Sequence, residues 1–207
     1  MPWPADYGGV IDPFYKIRAL HRLGIRIHLH CFQYGRPEAV ILDRYCASVT
    51  YYKRKTGISE LSLRTPYIVS SRINSELISN LSKDNYPILF EGIHTSHPLL
   101  SNIASSRKTA IRLFNVENEY YKRLSYATRN PFAKSYYFFE SLLLKKYEQK
   151  IASRSNILCM SESDEIYYKE KFHAQEVHFI PAFVPWNKVS SETGNGNYCL
   201  YHGNLEI

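Results

Sequence analysis

Amphipathic stretches and short apolar runs alternate along this chain. Val10, Phe14, Ile17 and Leu20 recur at helical spacing, which predicts a helix over 11–23 that stops at Gly24, a residue suited to the position just past a helix end. Residues 25–31 (Ile-Arg-Ile-His-Leu-His-Cys) alternate with period two and predict a strand. A turn at Tyr34-Gly35-Arg36-Pro37 leads into a short helix toward Tyr45, and 47–53 predicts a second strand. The stretch 57–71 has no decisive period. Beyond it the pattern predicts a helix over 73–81, a short buried strand over 87–93, and a short helix with Pro98 in its first position. A strand over 108–113 and a helix over 118–127 follow. Asn130-Pro131 then opens the longest helix, 132–153, and strand 156–160, helix 162–172 and strand 176–180 complete the series. The order is βαβα, and strands so short and apolar read as parallel and covered on both faces. The expected class is α/β, with a doubly wound, mostly parallel, Rossmann-like sheet.

The composition then shifts. Residues 186–197 (WNKVSSETGNGN) are polar, contain glycine and lack any period, as a linker does, and 198–207 open with a fresh apolar stretch. The expected organisation is an N-terminal domain over 1–185, a linker over 186–197, and the first strand of a further domain over 198–207. On this reading the chain is the N-terminal half of a longer protein.

Of the 207 residues 44% are hydrophobic, yet no apolar run approaches the ~20 residues of a membrane span, and no basic-then-apolar leader stands at the front. A cytoplasmic location is expected. Cys31, Cys46, Cys159 and Cys199 are far apart, have no metal-ligand spacing, and suit small buried residues in a reducing compartment better than a disulfide framework. The formal net charge of +7 calls for an anionic partner, and nucleic acid, phospholipid headgroups and sugar phosphates all meet that description. Of the 18 tyrosines some cluster in doublets (Tyr51-Tyr52, Tyr120-Tyr121, Tyr136-Tyr137, Tyr167-Tyr168) rather than in a base-stacking signature, so most read as helix-surface and interface aromatics.

Chemistry concentrates at predicted strand ends and helix starts. Pro4-Ala5-Asp6-Tyr7-Gly8-Gly9-Val10 is a tight loop opening the first helix. Gly8 and Gly9 allow a ligand to approach the backbone, and the first helix amides are unpaired N–H donors with a partial positive charge. A plain turn is the competing reading. His94 follows the strand 87–93, where an imidazole can serve a substrate or simply bond a neighbouring loop. His28 and His30 share a strand face without a third ligand, so they read as structural rather than as metal ligands. Ser161 with Asp164 three residues on is an N-cap pattern that needs no ligand. Lys145, Lys146 and Lys150 read as a solvated helix face or a peripheral membrane patch.

Five segments in this order resemble the retaining glycosyltransferases of family four, which have the GT-B fold: Ala5-Asp6-Tyr7-Gly8-Gly9-Val10, Glu91-Gly92-Ile93-His94, Arg112-Leu113-Phe114-Asn115-Val116-Glu117, Ser161-Glu162-Ser163-Asp164, and Tyr201-His202-Gly203-Asn204-Leu205. The likeness is strongest to the sugar-transferring enzymes of bacterial surface-polysaccharide clusters. It implies two facing Rossmann-like domains, this chain being the acceptor-binding one. Carried over by position, Gly8 and Gly9 would approach the donor phosphate and sugar, His94 would sit near the sugar being transferred, and Asn115, Glu117 and Ser161 would line the acceptor side. The partners implied are a nucleotide-sugar donor, held mainly by the second domain, and a glycan or lipid-linked acceptor, with peripheral contact to the inner membrane face. Neither a metal nor a cofactor is implied, and the 207 residues alone are expected to be inactive. A basic nucleic-acid-binding or scaffold module of the same fold is the alternative.

The chain departs from that pattern twice. Phe114 stands where many relatives have histidine. The front, Met1-Pro2-Trp3-Pro4, lacks the apolar strand that relatives carry before the proline-rich loop. That first central strand belongs between strands 25–31 and 87–93, so the sequence predicts an open slot between them, a closing-up of the two, or a borrowed strand.

Overall fold

Helix α1 (Gly8–Arg22) begins at the glycine pair itself, three residues earlier than the apolar period suggests. Tyr7 is its N-cap, and the Tyr7 carbonyl accepts from the amides of Val10 and Ile11 at 3.0 Å each. Pro13 lies inside the helix and has no N–H to donate, so the first turn is held by few bonds. The chain then runs β1 (His28–Gln33), β2 (Ser48–Lys53), α2 (Tyr67–Ser70), α3 (Ser75–Leu81), β3 (Ile88–Glu91), β4 (Thr109–Leu113), α4 (Glu117–Ala127), α5 (Pro131–Ala152), β5 (Asn156–Cys159), α6 (Glu162–Phe172) and β6 (Val177–Phe179). Short 3₁₀ turns occupy Val40–Arg44, Ile58–Glu60, Ile93–Thr95 and His97–Leu100. This computed structural model describes residues 1–101, 103, 107–186, 188, 190, 193 and 194. The expected strand over 198–207 and most of the expected linker lie outside the described residues.

Among the described residues all strand pairs are parallel, in two sheets: β1 with β2, and β3-β4-β5-β6 in that order. The α/β, Rossmann-like class is therefore as the pattern predicts. The two strands expected to flank the slot, β1 and β3, do not pair with each other, and residues 1–7 form no strand between them. Helices bridge the two sheets instead. On α1, Phe14 packs with Ala39 and Leu42 over Leu29 and Val49, while Asp12 and Lys16 reach across to β4 and β3. On α3, Leu77 and Leu81 pack with Tyr52 of β2 and Ile88 of β3.

Several expectations need correction. The first strand starts three residues late, because Ile25 is exposed and pairing begins only where β2 runs alongside. Pro98 is the second residue of a 3₁₀ turn rather than the first of an α-helix. The ambiguous stretch 57–71 holds a single 3₁₀ turn and the one-turn α2. Tyr52, Tyr147 and Tyr168 are core residues and not surface aromatics. His28 and His30 fill their structural role by bonding sideways to β2, through Nδ1 to Ser48 Oγ and to Tyr52 Oη, each at 2.8 Å. Cys31 and Cys159 are buried and, with Cys46, are free thiols; Cys199 lies outside the described residues.

The main core joins Phe90, Ile111, Leu113 and Ile157 of the larger sheet to Leu144, Tyr147 and Ile151 of α5 and to Tyr168 and Phe172 of α6. Among these apolar side chains α5 buries a carboxylate, Glu148, that caps another helix. Glu148 accepts from the amides of Glu117 (2.8 Å) and Asn118 (3.1 Å), from Asn118 Nδ2 (2.6 Å) and from Tyr168 Oη (2.7 Å). A negative group on orphan N–H donors stabilises a helix start, and it fixes where Glu117 stands.

Burial pushes Glu148 up to about 7, against four donors that favour its charged form. The folded chain thus keeps a proton that the unfolded chain, with an ordinary value of 4.5, has already released. This contribution to stability is fully present below pH 4.5 and is lost as pH rises through about 7, at about 1.4 kcal/mol per tenfold change in proton affinity. Burial also raises Glu91, Glu117 and Glu140, and they act in the same direction. Thermal melts from pH 5 to 8 should show a falling melting temperature, with a shallower slope in Glu148→Gln. A slope unchanged by that substitution would mean that Glu148 is ionised throughout.

Candidate functional site

In a parallel α/β layer ligands sit beyond the carboxyl ends of the strands, and the sequence-predicted residues lie there. His94 follows β3 on a 3₁₀ turn, Asn115 and Glu117 follow β4, Ser161 follows β5, and Gly8 and Gly9 open α1, which lies across the gap between the sheets. A surface depression of about 310 Å³ lies at the opposite, amino ends of β1 and β2, lined by residues such as His21, Ile25 and Tyr45. None of the predicted residues borders it.

Gly92, between β3 and the His94 turn, has φ +78°, a conformation that side chains other than hydrogen strain to adopt. The backbone therefore folds the imidazole back over Gly92. A Cβ built there would stand 2.6 Å from His94 Nδ1, closer still to Cε1, and 3.3 Å from the Phe114 ring. Phe114, which stands where the resemblance expects histidine, also borders Gly92. His94 has no hydrogen-bond partner among the described residues. Burial above all, then the charges of Arg72, the Met1 amino group and Arg54, push His94 down to about 3, so its ring is neutral at physiological pH.

Arg54, directly after β2, and Arg72, just after α2, are the residues that sequence reasoning missed. Arg54 Nε donates to Ser71 Oγ at 3.1 Å, and the guanidinium lies 4.7 Å from the Tyr34 ring centroid and 5.7 Å from that of Tyr67. Arg72 donates to the Ile68 carbonyl at 2.6 Å. Burial first, then Arg54's charge, lowers Arg72 to about 10, with the phenols of Tyr121, Tyr67 and Tyr7 opposing. The Tyr7 ring borders Gly9, where an added Cβ would stand 3.0 Å from Cε2 of the ring. Tyr7 is further held under the Arg36 guanidinium, 5.2 Å from the ring centroid, and Arg36 pairs with Asp6 at 2.8 Å.

Gly8 and Gly9 are exposed, and the first turn of α1 contains no acidic residue and no side-chain cap. Glu117 bonds the Asn115 side chain, and burial raises its carboxyl. Glu117 also acts on Tyr121, linking the β4 end to the arginine cluster. Ser161 caps α6, accepting from the Asp164 amide at 3.1 Å, and its hydroxyl contacts Ser163 at 3.0 Å. It lies two strands from His94, and its oxygen is engaged as the N-cap pattern predicts. The charges of Arg54 and Arg72 act on His94, and the phenols of Tyr7, whose ring borders Gly9, and of Tyr121, which feels the Glu117 charge, act on Arg72, whereas Ser161 stands at the start of α6.

A buried ionic network joins α1 to β3 and β4. Asp12 of α1 accepts from Lys16 at 2.8 Å, from Arg112 of β4 at 3.1 Å and from the Phe183 amide at 2.8 Å. Lys16 also pairs with Glu91 at 3.0 Å. Arg112 spends its remaining donors on the carbonyls of Cys159 (3.2 Å), Ile180 (2.6 Å) and Pro181 (3.0 Å). Asp12 and Arg112 are each 1% exposed, so this is an anchor and not a ligand site. It ties the helix bearing Gly8 and Gly9 to the strands bearing His94 and Asn115. No group of three His, Cys, Asp or Glu suited to hold a metal occurs among the described residues. No helix among them is long and apolar enough to cross a membrane.

No protein-family model and no solved structure matches the chain. The chain is 26% identical over 211 residues to an uncharacterized 44.6 kDa protein in the cps region of Klebsiella pneumoniae, a match that takes in 99% of this chain and 54% of that protein. The chain therefore spans about half the length of the relative it matches.

Proposed function

We propose that this chain is the acceptor-side half of a retaining, GT-B-type sugar transferase of family four that works in bacterial surface-polysaccharide synthesis. The observation that supports the reading is a neutral imidazole at the carboxyl end of a parallel strand, with no hydrogen-bond partner among the described residues, in a fold whose first helix opens uncapped on a glycine pair. A relative from a capsule (cps) region supports the pathway.

In this reading the Gly8 and Gly9 amides face the donor phosphate and contribute to stabilising the leaving diphosphate. His94, neutral and folded back over Gly92, contacts the transferring sugar. Asn115 and Glu117 border the acceptor, with Ser161 at the edge. A nucleotide-sugar is the donor, gripped mainly by residues outside these 207, and a glycan or lipid-linked molecule is the acceptor. The reading uses no metal or cofactor and no nucleic acid. It includes peripheral contact with the inner membrane face, supported by the exposed Phe132, Phe138, Phe139 and Leu142 beside the exposed Lys145, Lys146 and Lys150 of α5.

The test is a transfer assay on the full-length gene product, with a panel of UDP- and GDP-sugars and lipid extract from capsule-producing cells. Acceptor-dependent release of nucleoside diphosphate is expected, and no release with any donor would overturn the reading. The 207 residues alone should bind these donors no tighter than about millimolar, because only a few loop amides meet the phosphate.

A further inference from the structure

Arg54 and Arg72 meet at Ser71, close enough for the charge of one to act on the other, and neither pairs with an acid among the described residues. Ser71 ties their loops together, since its Oγ accepts from Arg54 Nε at 3.1 Å and its carbonyl from the Lys55 amide at 2.9 Å. Neither Arg54 nor Arg72 forms an ion pair among the described residues. The two terminal nitrogens of Arg54, and Nε and Nη2 of Arg72, have no acceptor among the described residues, and none of them is sealed from solvent. The carboxyl of Glu140 lies near the same tyrosines, but its Oε2 accepts from the Tyr67 amide at 2.8 Å, and burial shifts it toward its neutral form.

Like charges held together and partly desolvated repel, and that cost is removed when one anion lies between them. Each free guanidinium edge offers parallel donors that match a tetrahedral oxyanion. Tyr34 and Tyr67 pack against Arg54 and keep its fork in one orientation. We propose that Arg54 and Arg72 are a two-pronged phosphate site and that the acceptor of this transferase carries a phosphate beside the hydroxyl that receives the sugar. The word acceptor rests on the transferase reading; the phosphate site does not.

Calorimetric titration of the chain with inorganic phosphate at low salt should give a dissociation constant of about 1 mM, with Arg54→Gln and Arg72→Gln each weakening it by about tenfold or more. Arg54→Lys should retain part of the affinity. Phosphate should also raise the melting temperature of the wild type and not of the glutamine variants, whose own melts show whether they fold. No heat and no rise in melting temperature up to about 50 mM phosphate, or glutamine variants that bind like wild type, would overturn the site.

Two further probes separate the sources of the phosphate. Sedimentation with phosphatidylcholine vesicles carrying hexadecyl phosphate indicates a lipid-linked acceptor, and tighter binding of glucose 1-phosphate indicates a soluble sugar phosphate. Either supports the site. In the full-length protein, transfer to an uncharged acceptor that Arg54→Gln leaves unaffected sinks the acceptor assignment while the transferase reading stands. Phosphate binding without any sugar transfer does the reverse.

Discussion

Replacing His94 by alanine in the full-length protein should, on the proposed transferase role, lower turnover by roughly 10²-fold or more while leaving the fold intact, the range typical of removing a group that takes part in proton transfer. The ring makes no hydrogen bond among the described residues, so its loss strands no partner. Burial and the positive charges around it hold it neutral, near 3, so the turnover it supports should not fall away between pH 5 and 8 through its own titration. Gly92→Ala provides an independent check. The new methyl group would strain a φ of +78° and collide with the imidazole at 2.6 Å from Nδ1, so the histidine must swing out. If its placement matters, Gly92→Ala should be nearly as inactive as His94→Ala, and the double variant no worse than either. Circular dichroism melts separate this from general unfolding. Activity within about twofold of wild type in His94→Ala would assign the ring to loop packing alone.

The largest stability effect should come from Asp12→Ala. This carboxylate faces Lys16, Arg112 and the Phe183 amide at 2.8, 3.1 and 2.8 Å and is 1% exposed. Removing it leaves two buried cations short of their common anion, a loss of about 3–5 kcal/mol. For a chain of this size that is a drop of about 10 °C or more in melting temperature. Asp12→Asn should cost less, since its side chain still accepts from Arg112 or Phe183 through one oxygen. Asp12 itself is held below its ordinary value of 3.8, most strongly by Lys16 and against the effect of burial. Its contribution is therefore present above that value and lost as pH falls through the lowered one. A melting temperature within about 2 °C of wild type for Asp12→Ala would mean that α1 is held to the larger sheet by packing alone.

The α/β alternation was readable from the chain because periods of two and 3.6 are local properties of side-chain placement. Helix α6 (Glu162–Phe172) has both its limits where the residues predict them, with Ser161 accepting from the Asp164 amide. The glycine pair announced a helix start, and Gly24 its end, since positive φ at 75° suits glycine. A charged residue in an otherwise apolar strand, Arg112 among Ala110, Ile111 and Leu113, was a visible sign of a buried partner. So was Glu148 on the apolar side of the longest helix. The identity of those partners was not visible, because Asp12 lies 100 positions from Arg112 and Glu117 31 positions from Glu148.

Some features had no signal in the chain at all. Arg54 and Arg72 flank a stretch without period, where surface arginines are commonplace. Only the folding of the loop after β2 against α2 brings them together around Ser71. The division into two sheets is likewise a tertiary outcome. Pattern predicts strands one at a time, whereas pairing depends on which edges meet, and here α1 and α3 bridge β1 and β2 to the other four strands. The sequence by itself determined the order of helices and strands and the placing of polar motifs at their ends, because hydrophobic period, glycine and caps act within a few residues. The tertiary structure alone decided which of those ends act on one another, because long-range contacts between burial-driven neighbours set the charge of His94, the pairing of Asp12 and the bare edge of two arginines.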